Sequence, residues 1–204
     1  MELNTHNKTL WMVQTAILAA IVFLMAFTPL GYLKSGPVSI TFLPIPVVIG
    51  AVMVGPICGL ILGGIFGLTS LIQCFGMDAF GTALMSINPL YTVIMTMVPR
   101  LLMGWLVGVI FKGASKKDPK GTWSYVLASF CGPALNTLLF VSALILFFRD
   151  ADVVRELGDN VKAIVLALIS TNALIEAVVC TIAASAITKV LAVALNHSRV
   201  GKNK

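Results

Sequence analysis

Residues Asn88 to Lys112, NPLYTVIMTMVPRLLMGWLVGVIFK, make an apolar run long enough to cross a bilayer, interrupted by one arginine, Arg100, near its middle. As a helix this run sets Arg100 about 18 Å along the axis from either end at 1.5 Å per residue. A guanidinium facing lipid at that depth costs from ~3 to more than 10 kcal/mol, so it must face protein, water or an anionic ligand. The fold therefore has to build walls around a cation, and the remaining apolar runs must supply them.

Those runs are plentiful. Of 204 residues, 58% are hydrophobic and 11% charged, with a mean hydropathy of +0.99, whereas charged residues make up about a quarter of a soluble domain. The chain reads as an integral membrane protein forming one compact bundle. Its net charge of +6 does not point to nucleic acid, because the basic residues lie in short polar breaks between apolar runs and not on an amphipathic face. Cys58, Cys74, Cys131 and Cys180 are far apart in apolar surroundings, without a C-x-x-C spacing or a nearby histidine. They read as buried thiols, not metal ligands or a disulfide framework, and no metal site is expected. The start, MELNTHNKTLWMV, has a weak basic region and no A-x-A cleavage site, which favours an uncleaved first helix over a signal peptide.

The expected fold is an all-α membrane protein, a bundle of six transmembrane helices over about 9–33, 44–54, 57–74, 89–112, 122–148 and 163–195. On the first span, Ala16 and Ala20 are one turn apart with Ala19 beside them, a small-residue strip that suits either an outward docking face or internal packing. Pro37 to Thr41 alternates like a strand and suggests a short hairpin or lid. Phe42 to Cys74 carries no charge and would be roughly 48 Å long as one helix. Gly55-Pro56 breaks it into two helices joined by a tight turn. Gly59, Gly63, Gly64 and Gly67 then allow a neighbour to approach the backbone of the second. They do not form a phosphate loop, since no lysine or arginine occurs between Lys34 and Arg100. Phe75 to Ile87 is mixed and polar enough to be a loop over the bundle, and Gly132-Pro133 can bend the fifth span.

Charge sets the orientation. With six spans, one side holds nine basic residues (Lys8, Lys112, Lys116, Lys117, Lys120, Lys189, Arg199, Lys202 and Lys204) and the other four (Lys34, Arg149, Arg155 and Lys162). Basic residues are retained inside the cell, so both the N- and C-termini are expected in the cytoplasm.

Few strongly polar side chains share the depth of Arg100: Asn136, Asn172 and Glu176, with Gln73, Asn88 and Tyr91 nearer the outer ends. Measured from the outer ends of their runs, Asn172 lies about 14 Å down, Asn136 about 18 Å and Glu176 about 20 Å. Asn172 and Glu176, at i and i+4, share a face. A cation, a carboxylate and two carboxamides at one level suit a small polar anion, with the forked guanidinium taking a carboxylate. The alternative is an internal Arg100–Glu176 ion pair flanked by asparagines that glue helices, and the two arrangements can coexist.

The A-x-x-x-A of Ala16 and Ala20, the run ITFLPIPVVIGAVMVGPICGLILGGIFGLTSL from Ile40 to Leu71, PRLLMGWLVG from Pro99 to Gly108, Asn136-Thr137, and NALIEAVV from Asn172 to Val179 stand in this order across nearly the whole chain. Together they resemble the substrate-binding S components of energy-coupling factor (ECF) vitamin transporters, and among these the pantothenate type most. The resemblance implies a multi-pass protein of a bacterial-type cell membrane that captures a vitamin from outside and topples to release it. It implies association with a transmembrane coupling subunit and two cytoplasmic ATPases, which hydrolyse the ATP, while this chain is no enzyme and binds no cofactor. It assigns Ala16 and Ala20 to docking on the coupling subunit. It also implies a pocket between the last three helices, roofed by loops at about 34–43, 75–87 and 149–162. Pantothenate fits the side chains: one carboxylate for Arg100, and hydroxyls and an amide for Asn136, Asn172 and Asn88 or Tyr91. Riboflavin or thiamine would be expected to use more aromatic stacking than 8% aromatics provide, and a metal-transporting relative would be expected to show N-terminal histidine ligands, where only His6 stands.

Three other functions fit less of the sequence. An S component for another vitamin or small anion would share the scaffold. A stand-alone transporter driven by protons through Glu176 would be expected to show two similar halves, and no internal repeat is visible. An intramembrane enzyme would need a nucleophile and base or a ligand cluster in the spans, yet His6 and His197 are both terminal.

Overall fold

The structure, a computed structural model, describes residues 2–33, 40–118, 122–155 and 173–201. Its elements in order are α1 (Glu2–Ala26), β1 (Tyr32–Leu33), β2 (Ile40–Thr41), α2 (Pro44–Met53), α3 (Pro56–Gln73), α4 (Ala79–Ile87), α5 (Pro89–Ser115), α6 (Trp123–Phe148), α7 (Asp152–Arg155) and α8 (Leu174–Gly201). Among the described residues, five apolar helical segments are long enough to cross a bilayer: Lys8–Ala26, Pro56–Gln73, Pro89–Ser115, Trp123–Phe148 and Leu174–Ala192. The protein is a membrane-embedded helical bundle.

The centre of the bundle is a helix shorter than any of these five segments, α2. α2 has ten residues, of which eight are buried, and at about 15 Å it reaches half of a ~30 Å hydrocarbon core. Helices that are apolar all round are buried ones, and α2 is enclosed by α1, α3, α5, α6 and α8. The main core, which includes Val22, Leu43, Val47, Leu62, Met103 and Val107, gathers around it. At Gly55 the backbone takes φ = +130°, a value that only glycine adopts without strain, and Pro56 then starts α3 with φ already set for a helix.

The glycine stripe of α3 seats the arginine helix. A Cβ at Gly59 would run into the Gly104 carbonyl of α5, and one at Gly63 into the Arg100 carbonyl. At Gly67 it would lie 3.0 Å from the Thr96 carbonyl. Small residues on both helices therefore bring the two backbones into contact along the turns that carry Arg100, as small-xxx-small seams do in membranes. Gly63→Val is expected to destabilise the protein by about 1–3 kcal/mol or more through overpacking, read as a lower thermal midpoint in detergent. Gly64→Ala, facing only a Leu101 side-chain carbon at 3.2 Å, should change it little, and equal midpoints for both variants would contradict the seam.

Several expected boundaries move. The first span does not run to residue 33: α1 ends at Ala26, and Tyr32–Leu33 pair antiparallel with Ile40–Thr41, Tyr32 opposite Thr41 and Leu33 opposite Ile40. Pro29 supplies no N–H and disfavours helix in the residue before it, which is reason enough for the chain to turn there. The hairpin expected near Pro37–Thr41 thus takes its second strand from the supposed end of the first span, and its residues 34–39 lie outside the described residues. The expected loop at 75–87 contains α4, whose N-cap is Asp78; its carboxylate accepts from the Gly81 N–H at 2.7 Å. The connection after residue 149 begins with α7. A second, smaller core joins α4 and α7 to α5 and α6 through Leu84, Met95, Val141, Leu144, Phe148 and Val154. The start of the last expected span, 163–172, lies outside the described residues, Asn172 with it.

Candidate functional site

A cavity of about 540 Å³ lies where α1 and α3 end and α5 and α8 begin. Helix α3 lines it with Phe66, Ser70 and Gln73, α5 with Met95, Thr96 and Arg100, and α6 with Asn136, Thr137, Phe140 and Val141. Ala173 and Glu176 close the α8 side, and Tyr32, Thr41 and Asp78 come from the connecting segments. The cavity is therefore not confined to the last three helices, as the resemblance implied, because α3 and the end of α1 form one wall.

Arg100 is 9% exposed. Proline 99, inside α5, has no N–H to give to the carbonyl four residues earlier, that of Met95, and Arg100 Nη1 donates to this carbonyl at 2.9 Å. The guanidinium carbon lies 4.8 Å from the ring centre of Phe140 and 5.5 Å from that of Phe66, both close enough for cation–π attraction. Ion pairs within 4 Å among the described residues are Arg149–Asp150 and Arg155–Asp150, both exposed. The direct Arg100–Glu176 pair weighed from the sequence does not form.

Glu176 and Asn136 are as well buried, at 6% and 5% exposure. Thr41 N–H donates to Glu176 Oε2 at 3.4 Å, which ties β2 to the first turn of α8. Arg100 Nε, Asn136 Oδ1 and Glu176 Oε1 are buried without a hydrogen-bond partner among the described residues. Buried polar atoms are nearly always paired, and three unpaired ones around one cavity mark a place suited to a polar guest. Tyr32 sits near them; burial pushes its phenol above the usual tyrosine range, against the opposing pull of Ser70, Arg100 and Thr41. Held neutral, its hydroxyl can both donate and accept.

The sequence-derived site residues thus fall into three groups. Arg100, Asn136, Glu176 and Gln73 line the cavity, and the Gln73 amide nitrogen also donates to the Ala26 carbonyl, tying α3 to α1. Asn88 and Tyr91 do not line it. Asn88 is the N-cap of α5, accepting from the Tyr91 N–H at 3.2 Å, and the Tyr91 ring stacks on Phe147 at 4.9 Å. An asparagine directly before a proline-initiated helix is a capping signal, which is why Asn88 serves α5 and not the cavity. Asn172 lies outside the described residues. The cavity also takes in Phe66, Phe140, Ser70 and Thr96, which helical spacing from the candidates marks: Phe140 follows Asn136 by four, Thr96 precedes Arg100 by four, and Ser70 and Phe66 precede Gln73 by three and seven.

Fold and cavity together define a class, a helical membrane protein that encloses a chamber for a small polar molecule near one end of its bundle. The chain belongs to the ECF transporter family as a substrate-specific component: the sequence model described as "ECF transporter, substrate-specific component" matches residues 11–188. It is 31% identical over 173 residues to the pantothenic acid transporter PanT of Lactococcus lactis subsp. cremoris, covering 79% of this chain and 82% of that protein. It is also 28% identical over 196 residues to the pantothenate transporter PanT of Leuconostoc mesenteroides subsp. mesenteroides, covering 92% and 94%.

Proposed function

We propose that this chain is the pantothenate-binding subunit of an ECF-type importer in the cell membrane. The observation that carries the reading is Arg100, a buried cation on the wall of a vitamin-sized cavity with no carboxylate within 4 Å among the described residues. Pantothenate offers a carboxylate to the guanidinium, an amide and two hydroxyls to Asn136, Glu176 and the hydroxyl side chains, and a dimethyl carbon to Met95, Val141 and the phenylalanines. The two relatives named as pantothenate transporters support this choice over another vitamin or small anion. In the same reading the chain makes six passes with both termini in the cytoplasm, α2 completing its pass inside protein and not against lipid. It catalyses nothing and binds no cofactor. A coupling subunit docks on the Ala16 and Ala20 face of α1, and two ATPase subunits hydrolyse ATP to drive delivery.

The test is thermal stabilisation of the purified protein against a panel of water-soluble vitamins. A ligand at a hundred times its Kd adds about 2.7 kcal/mol to the folded state. Pantothenate is expected to raise the midpoint while thiamine, riboflavin and biotin do not; stabilisation by another vitamin, or by none, would overturn the assignment. Uptake by vesicles that contain this chain and no ATPase would replace the ECF reading with a stand-alone transporter.

A further inference from the structure

We infer that Pro99 is a positioning residue for ligand binding: by leaving the Met95 carbonyl without a helical donor, it fixes the direction in which the Arg100 guanidinium meets the ligand. In a regular helix each carbonyl is taken by the N–H four residues on. Residue 99 is a proline inside α5, so the carbonyl of Met95 receives nothing from it, and the ring crowds that carbonyl away from the helix axis. Arg100 Nη1 occupies the acceptor at 2.9 Å. Side chains on a helix lean toward its N-terminus, so an arginine one residue after the proline is placed to reach back to that carbonyl.

The consequence concerns geometry more than charge. A guanidinium is a rigid plane with its donors in a fixed fork. Phe140 and Phe66 at 4.8 and 5.5 Å hold the plane, and the bond to Met95 fixes rotation within it. The bond also draws the cation back along α5 toward its N-terminus, to the side where Met95 and Thr96 line the cavity. An alanine at 99 would restore an N–H that competes for the Met95 carbonyl, and the guanidinium would be left free to rotate.

This inference rests on the reading that Arg100 takes the carboxylate of pantothenate, and panthenol separates the two because it carries a hydroxymethyl group where pantothenate has the carboxylate. Affinities of the full chain in detergent for both compounds are to be measured by calorimetry, in the native protein and in Pro99→Ala. Native protein should bind the acid much more tightly than the alcohol. Pro99→Ala should raise the Kd for the acid about ten-fold, the effect of one charge-assisted hydrogen bond, and shift that for the alcohol by less than about two-fold. The midpoint without ligand should be equal or higher, since alanine favours helix. Pro99→Leu, which restores the same N–H, should repeat the pattern. An unchanged Kd for the acid, or an equal loss for both compounds, would overturn the positioning role while leaving Arg100 as the anion site. Native protein that does not distinguish the two compounds would overturn the anion site itself, and with it this role.

Discussion

Replacing Arg100 with alanine is expected to weaken pantothenate binding by about 2–5 kcal/mol, roughly 30- to several-thousand-fold in Kd. The size follows from burial. Arg100 is 9% exposed, its Nε has no hydrogen-bond partner among the described residues, and no carboxylate among them lies within 4 Å to compete with an anionic ligand for it. With the cation gone, a bound carboxylate would face Phe66, Phe140 and the buried Glu176, and a buried charge without a partner costs several kcal/mol. Arg100→Ala also leaves the Met95 carbonyl without its donor and should lower the stability of the free protein, so calorimetry is to be paired with thermal unfolding to separate the loss of binding from the loss of stability. An unchanged dissociation constant would make the arginine a structural group whose task ends at the Met95 carbonyl.

The second large effect should appear where binding is untouched. Enlarging Ala16 or Ala20 to tryptophan is expected to leave pantothenate affinity intact and to abolish both assembly with the coupling subunit and uptake. Both alanines are exposed on α1, while Thr15, Val22 and Ala26 are buried and Ala19 packs against the core. The strip therefore faces away from the bundle, which favours the docking alternative over internal packing. Small residues let a partner helix approach closely, and an indole there would hold the backbones apart. Copurification with the coupling subunit and uptake in reconstituted vesicles measure the two losses. A variant that also loses its ligand would mean that the strip packs inside the protein after all.

How far the sequence could be read depended on the range of the physics involved. The break at Gly55-Pro56, the close-packing glycines of α3 and the burial of Arg100 away from lipid were legible because each follows from one residue's own chemistry: a missing N–H, a missing side chain, a charge that hydrocarbon will not accept. The partner of the glycine seam was not legible, nor the contacts of the Arg100 guanidinium with the rings of Phe66 and Phe140. Asn88 misled for a related reason. Its amide looks the same as that of Asn136 in the sequence, but the local start of α5 claims it as a cap, while Asn136 Oδ1 is buried with no hydrogen-bond partner among the described residues.

By itself, then, the sequence determined that this is a helical membrane protein with a buried cation, and that small residues and proline breaks govern how its helices meet. Only the tertiary structure decided which faces turn toward one another, placing Arg100, Asn136 and Glu176 on one cavity with α3 and the end of α1 as a wall and excluding Asn88 and Tyr91. The rotation of each helix about its axis is a sum over many weak packing contacts with several neighbours, and no single residue type carries that sum in its own chemistry.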